Sequence, residues 1–256
     1  MYLSYLLINV GDNPDRPRPG RLWLRNMYHV HQRLCMAFPS RDHKENDTRF
    51  LEPYSPDDFP ITHVHLPRSS GVGFLFRVDP IPGGSPIITV QSAVEPDWEY
   101  AFQNAGYLLA HPPIVNDFDP RFPPNQRLAF RLRANPVRRA SSNSRDSEGN
   151  TLDAKWHGKR IPVPFHQLDL WLSRHAERPS SGFKILTIAR KTTGYVYLKK
   201  KETNEKSQRL FSVLFEGYLE VTDTHNLATT LARGIGPAKA FGFGLLSVKP
   251  LKDTNQ

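Results

Sequence analysis

The second half of the chain alternates extended and helical patterns in an order that constrains the fold more than any other feature. Leu128, Phe130 and Leu132 alternate with Arg or Ala, which predicts a strand over Arg127–Arg133. The later predicted elements are, in order, a helix over Phe165–Arg178, strands over Phe183–Ala189, Tyr195–Leu198 and Leu210–Val221, a helix from Thr222 or Asp223 to Ala232, and a strand over Leu245–Pro250. The resulting βαββαβ order predicts a ferredoxin-like domain.

The first half fits the same plan less closely. Residues 2–9 predict a strand, and Asn26 is a candidate N-cap for a helix over Met27–Phe38. Short strands are expected at Ile61–Leu66, Phe74–Val78 and Ile87–Gln91. The predicted fold class is therefore α+β, with two tandem ferredoxin-like (RRM-like) domains.

A chain of 256 residues suits two domains of ordinary size. The Pro-rich stretch His111–Pro124 is typical of a linker between domains. We therefore predict an N-terminal domain over 1–110, a linker over 111–126 and a C-terminal domain over 127–256.

Composition excludes several classes of protein. Cys35 is the one cysteine, so the chain has neither a disulfide framework nor a Cys-based metal centre. No apolar run approaches the roughly 18–20 residues that cross a bilayer. Met1–Val10 lacks the basic start of a signal peptide and is instead typical of a strand. We therefore expect a cytoplasmic protein with no membrane partner and no cofactor.

The net charge of +9 is concentrated in two segments of the second half. Residues 127–160 and 184–209 each carry six more basic than acidic side chains, so the rest of the chain has a net charge of −3. A solvated surface is the ordinary reading of any single Lys or Arg. Two segments with such an excess of positive charge favour an anionic partner, with nucleic acid as the first choice.

A glycine segment, defined as Gly234–Gly244, joins the last predicted helix to the last strand. Its glycines allow close approach of a phosphate chain, and Lys239 adds a positive charge. The segment is not a dinucleotide-binding fingerprint, because that motif follows a strand and precedes a helix. A helix C-cap at Gly234 followed by a turn is an equally good interpretation.

Tyr28 and His31 lie three residues apart on the first predicted helix. At about 100° per residue, their side chains are separated by only about 60° around the helix axis. Cleavage of RNA by its own 2′-hydroxyl needs a proton acceptor and a proton donor, and these two side chains suit those roles. Considered alone, the pattern more often belongs to an ordinary core-flanking Tyr and a surface His.

Two His-x-His pairs offer a metal-binding alternative. His29 and His31 would point apart on a helix, which disfavours that pair. His63 and His65 would share one face of a strand, but no nearby Asp, Glu or Cys clearly completes a site. We predict no metal site, and a metal-dependent phosphoesterase using the second pair is a minority hypothesis.

Four stretches of the chain resemble a known family. They are MYLSYLLIN at the start, the helix YHVHQRLCMAFP, the strand FRLRANPVRR, and the ending LFEGYLEV…LARGIGPAKAFGFGLLSVKPL. Together and in this order, they are similar to the CasE endoribonucleases, the CRISPR repeat-processing subunits of type I-E Cascade complexes. The glycine segment is the most specific part of the resemblance.

The resemblance implies metal-independent cleavage of CRISPR precursor RNA on the 3′ side of the repeat stem-loop, by attack of a 2′-hydroxyl. The product would be mature crRNA with a 2′,3′-cyclic phosphate, held by the protein alongside other Cascade subunits. The implied catalytic residues are Tyr28 and His31, with the acid and base roles left open. A non-catalytic RNA-binding subunit of a ribonucleoprotein is the alternative.

Within this family frame, basic residues of the second domain are expected to bind the RNA hairpin. They are Arg131, Arg133, Arg138, Arg139, Lys159, Arg160 and Lys239, and the glycine-rich loop contributes Gly234, Gly236, Gly242 and Gly244. Some relatives have a lysine one turn beyond the histidine, where this chain has Met36. Arg33, Arg25 or a more distant basic residue would then have to stabilise the transition-state charge.

Overall fold

The structure, a computed structural model, describes residues 1–11, 18–38, 73–145, 150–151, 153–198 and 208–251. The chain divides into two compact units. The first unit contains Met1–Asp119, Tyr197–Gln208 and Ala240–Gly242, and the second contains Pro120–Val196, Arg209–Lys239 and Phe243–Gln256. No helix among the described residues is long and apolar enough to cross a membrane.

The first unit has one four-stranded sheet with the order β2-β3-β1-β4, in which all pairs are antiparallel. Its elements are β1 (Tyr2–Leu7), α1 (Pro19–Leu24), α2 (Met27–Cys35), β2 (Phe74–Asp79), β3 (Ile87–Ser92), α3 (Trp98–Phe102) and β4 (Ile114–Asp117). With α2 and α3 between strands, the order is βαββαβ. The first unit is therefore ferredoxin-like.

Three elements of the first unit, α1, α3 and β4, are not predicted from the sequence. Helix α1 begins at Pro19, inside a stretch that the Pro, Arg and Gly content marks as a loop. Strand β4 lies within the predicted linker and pairs with β1 through Tyr5 and Ile114. The strand predicted at Ile61–Leu66 lies outside the described residues.

Helix α2 follows the prediction closely. The side chain of Asn26 accepts a hydrogen bond from the backbone N–H of Tyr28, which confirms the predicted N-cap. Met27, Val30 and Leu34 are buried on one face of the helix. Full burial of a side chain such as Leu34 contributes roughly 1.5–3 kcal/mol, so this face fixes the helix against the sheet. The helix ends at Cys35, three residues earlier than predicted.

The second unit has the sheet order β10-β5-β9-β8 and a separate two-stranded ribbon, β6-β7. Its elements are β5 (Arg127–Ala134), β6 (Val137–Arg139), β7 (Arg160–Pro162), α4 (Leu168–Ala176), β8 (Phe183–Leu198), β9 (Gln208–Val221), α5 (Thr224–Arg233) and β10 (Leu246–Pro250). The sheet strands and helices again give βαββαβ. The predicted fold class, two tandem ferredoxin-like domains, is confirmed.

Burial along β5 confirms the predicted alternation. Leu128, Phe130 and Leu132 are buried, whereas Arg127 and Arg131 are exposed. The two strands predicted between residues 183 and 198 are instead one strand of 16 residues, β8. Its middle is exposed and polar, so it lacks the apolar alternation by which strands are detected in a sequence.

Candidate active site and basic ribbon

The side chains of Tyr28 and His31 lie one turn apart on α2. Both are half-buried, so each has a supported side and an accessible side. The cap made by Asn26 starts the helix just before Tyr28, with 3.2 Å between its Oδ1 and the Tyr28 nitrogen. Helix geometry therefore presents the phenol and the imidazole in neighbouring directions.

The imidazole of His31 packs against phenylalanine rings of β2. Its ring is stacked on Phe74, with 5.6 Å between centroids and 25° between planes, and lies 6.4 Å from the ring of Phe76. Phe74 in turn stacks on Phe38, at 5.1 Å and 19°. Residues two apart on a strand share one face, so the predicted strand could have indicated the Phe74 and Phe76 pair. The stack holds the His31 ring on one side.

Cys35 adds a second contact to His31 from the next turn of α2. Its buried Sγ lies 3.8 Å from Nδ1 and 3.7 Å from Nε2 of the imidazole. Because the distances from Sγ to the two ring nitrogens are nearly equal, the sulfur is not aligned with a single nitrogen. The position of the imidazole is thus fixed by aromatic rings and by a thiol.

Arg33 was one of the candidates for stabilising transition-state charge, and the structure shows that it is engaged elsewhere. Its Nη1 donates to the carbonyl of Ala101 and to Oδ1 of Asn104, both at 2.9 Å. Burial lowers the pKa of the Arg33 guanidinium from its usual value. Two residues along a helix is about 200° around the axis, so Arg33 points away from His31. Arg25 is exposed just before the helix cap.

The glycine segment forms a closed loop after α5. Gly234 ends the helix with a φ of 70°, and its N–H donates to the carbonyl of Thr230, which confirms the predicted C-cap. The N–H of Ile235 donates to the carbonyl of Gly244, and the N–H of Gly244 donates to the carbonyl of Arg133. These hydrogen bonds close the loop on itself and connect it to β5.

Gly242 belongs to the first compact unit and lies close to the ring of Phe76. Its φ is +80°, and an added Cβ would lie 3.3 Å from Cε2 of Phe76. Phe76 is in turn one of the rings that contact His31. The same loop contains Gly236, also at positive φ, and the half-buried Lys239 at the start of a 3₁₀ turn.

Four of the predicted RNA-binding residues lie in the β6-β7 ribbon or directly before its second strand, and the sequence predicts neither strand. They are Arg138, Arg139, Lys159 and Arg160. Arg139 and Arg160 are directly opposite each other across the two strands, and both are exposed. Like charges in this position destabilise a strand pair. The facing arginines therefore concentrate positive charge on one side of the ribbon.

The other two predicted arginines lie on β5. Arg131 is exposed but paired with Glu216 across the sheet, with 2.6 Å between Nη2 and Oε1 and 2.8 Å between Nε and Oε1. Arg133 is half-buried, and its carbonyl is bonded to the glycine segment. The charge of Arg131 is therefore partly compensated by Glu216 within the protein.

Among the described residues, no group of three or more His, Cys, Asp or Glu side chains is placed to hold a metal ion. His63 and His65, the pair behind the metal hypothesis, lie outside the described residues. His29 and His31 are both on α2, where a spacing of two turns them to different sides of the helix.

Two tandem ferredoxin-like units, one with a Tyr–His helix and one with a basic ribbon, define a two-domain α+β protein of the RRM-like class. Comparison with known families makes this more specific. The family described as CRISPR associated protein matches residues 1–250, and the chain belongs to this family. The resemblance to the CasE endoribonucleases is confirmed.

Individual relatives match along nearly their whole length. The chain is 32% identical over 262 residues to the CRISPR-associated endoribonuclease Cse3 of Thermus thermophilus, covering 98% of this chain and 100% of the relative. It is 27% identical over 254 residues to the Cascade subunit CasE of Escherichia coli, again covering 98% and 100%. A structure of Thermus thermophilus Cse3 bound to an RNA representing a pre-cleavage complex matches with a TM-score of 0.64 and 31% identity, over 97% of this chain and 98% of that one.

Proposed function

We propose that this protein is an endoribonuclease that cuts CRISPR precursor RNA on the 3′ side of the repeat stem-loop and keeps the mature crRNA as a Cascade subunit. The observation that carries the proposal is the Tyr28–His31 pair, held on a capped helix against a phenylalanine stack. Cse3, a relative of this chain, is named an endoribonuclease, and CasE is named a Cascade subunit. The protein would work in the cytoplasm, where the transcript is made.

The proposed reaction is attack by a 2′-hydroxyl on the adjacent phosphate. One of His31 and Tyr28 accepts the proton of the 2′-hydroxyl, and the other donates a proton to the departing 5′-oxygen. The products are a 2′,3′-cyclic phosphate and a 5′-hydroxyl. Because the nucleophile belongs to the substrate, the protein supplies proton transfer and in-line geometry.

The N-terminal domain would thus perform the chemistry, and the C-terminal domain would bind the hairpin. The β6-β7 ribbon presents two exposed positive charges, Arg139 and Arg160, directly opposite each other. Arg138 and Lys159 extend the same ribbon, whereas Arg131 contributes less because it is paired with Glu216. We assign Arg133, Lys239 and the glycine segment to support of the RNA or of the catalytic helix.

Cleavage of a repeat stem-loop RNA in excess EDTA tests the proposed function. We expect full activity, with a 2′,3′-cyclic phosphate on the upstream product. Loss of activity in EDTA, restored by a divalent metal, would favour a metal-dependent phosphoesterase. Tight binding without any cleavage would favour the alternative function, a non-catalytic RNA-binding subunit of a ribonucleoprotein.

Gly242→Ala is expected to slow cleavage while RNA affinity stays within about twofold of the wild-type value. The new Cβ would press on Phe76, at 3.3 Å, from a backbone with φ of +80°, and Phe76 contacts His31. Misplacing a catalytic group by about 1 Å can cost about 10²-fold, so we expect a loss of roughly 10- to 100-fold in single-turnover rate.

Gly83→Ala is the matched control for this variant. Gly83 has a φ of +70° in the same unit, but an added Cβ would meet nothing within 4 Å. It therefore imposes the same backbone strain without the contact to Phe76. A Gly242→Ala protein that cuts as fast as Gly83→Ala would show that the glycine segment does not support the catalytic helix.

A further inference from the structure

Trp156 is an exposed indole on an otherwise polar, basic surface. Its exposed fraction is 41%, whereas Trp98 and Trp171 are buried at 5% and 9%. It ends a 3₁₀ turn, Ala154–Trp156, in the segment that connects the two strands of the ribbon. The large apolar face of this ring does not pack into a hydrophobic core.

Backbone hydrogen bonds tie the Trp156 turn to the ribbon. The N–H of Trp156 donates to the carbonyl of Asp153 at 2.9 Å, and the N–H of Lys159 donates to the carbonyl of Trp156 at 3.0 Å. Ala140, which follows β6, exchanges hydrogen bonds with Gly158 and Lys159 at 2.8 and 2.9 Å. The indole is thus presented from an ordered turn, so little entropy is lost when a flat ligand stacks on it.

Positive charge lies next to this ring. Nζ of Lys159 is 5.4 Å from the centroid of Trp156, and the exposed Arg160 follows directly at the start of β7. A flat aromatic face beside cations matches a nucleotide, whose base stacks while its phosphate meets the positive charge. Bases within a stem are already stacked on each other, so the matching base is an unpaired one.

We propose that Trp156 is a base-stacking site for an unpaired nucleotide of the bound RNA, with Lys159 positioned for the adjoining phosphate. The inference rests on the proposed function, because it assumes that RNA lies along the ribbon. The nucleotide comes either from the loop of the hairpin or from the single strand that flanks it. Trp156 thereby adds a contact with the base to the phosphate contacts of the arginines.

Tryptophan fluorescence during titration with the stem-loop RNA tests this site. The chain has four tryptophans, and a base stacked on Trp156 should quench its emission. We expect RNA-dependent quenching in the wild type that is lost in Trp156→Phe, a variant that keeps an aromatic face and binds within a few-fold of the wild type. Trp156→Ala should bind roughly 5- to 150-fold more weakly, which corresponds to ~1–3 kcal/mol for one stacked base.

Phe165→Ala is the matched control for loss of an exposed aromatic ring. Phe165 is 61% exposed, lies outside the two strands of the ribbon, and has Nζ of Lys191 at 4.7 Å from the centroid of its ring. We expect its RNA affinity to be unchanged. Single abasic nucleotides, placed in turn in the loop and in the flank, identify the stacked base as the one whose removal abolishes the quenching.

Two results would overturn the inference in distinguishable ways. If Trp156→Ala binds and cuts the RNA as the wild type does, and no quenching depends on Trp156, the stacking site is wrong while the proposed function stands. If the wild type binds no stem-loop RNA, the proposed function fails and the stacking site fails with it.

Discussion

Replacing His31 with alanine is expected to slow cleavage of the repeat stem-loop by roughly 10²–10⁴-fold, the usual contribution of one acid–base group. The affinity for RNA should stay within about twofold, because the ribbon that binds the hairpin is untouched. The measurement is single-turnover cleavage at saturating protein, with the dissociation constant determined separately. Tyr28→Phe, which removes only the hydroxyl, should also lower the rate and not the affinity.

His29→Ala is the matched control for the His31 variant. His29 lies on the same helix and is half-buried like His31, but a spacing of two residues turns it to a different side. We expect its cleavage rate to stay close to that of the wild type. Equal rates for His31→Ala and wild type would remove His31 from the mechanism.

Removing both facing arginines, with Arg139→Ala and Arg160→Ala together, is expected to weaken RNA binding by at least about 100-fold, since each charge-assisted hydrogen bond is worth about 1.5 kcal/mol or more. The slope of log affinity against log salt should become shallower by about 1.4–1.8, because each of the two lost phosphate contacts contributes roughly 0.7–0.9. The free energy of unfolding should stay level or rise by about 0.2–1 kcal/mol, because repulsion across the ribbon is relieved. Cleavage at saturating protein should change far less than affinity.

Arg127→Ala with Arg190→Ala removes the same charge from a different surface. These arginines lie on the sheet of the second unit, near carboxylates, with Nε of Arg127 at 4.0 Å from Glu220 and Nη1 of Arg190 at 3.9 Å from Glu216. We expect a smaller change in affinity and in salt slope than in the ribbon variant. Equal losses in the two double variants would mean that net charge, and not the ribbon, binds the RNA.

Elements with a strong local pattern could be predicted from the sequence. The apolar face of α2, the cap at Asn26 and the alternation along β5 all follow from spacing within one element. Strand β4 could not be predicted, because its four residues are all exposed and its place depends on pairing with β1. The three-residue strands β6 and β7 were missed for a similar reason, since their basic side chains have no buried face to create a pattern.

The candidate site was predicted only in part. The spacing of Tyr28 and His31 indicates neighbouring side chains, but the family resemblance, not the spacing, singles them out. The rings of Phe74 and Phe76 come from more than forty residues further along the chain, so their packing on His31 is a product of the sheet. Similarly, the hydrogen bonds from Arg33 to Ala101 of α3 and to Asn104, two residues after α3, depend on tertiary structure.

Cleavage of a repeat stem-loop with a single 2′-deoxynucleotide just 5′ of the scissile bond tests the central claim most directly. The modification removes the proposed nucleophile and leaves every phosphate and base in place. In excess EDTA, we expect this RNA to bind as tightly as the all-ribose RNA and to remain uncut while the all-ribose RNA is converted to product. Cleavage of the deoxy-substituted RNA at the all-ribose rate would contradict attack by the 2′-hydroxyl, and with it the mechanism proposed for Tyr28 and His31.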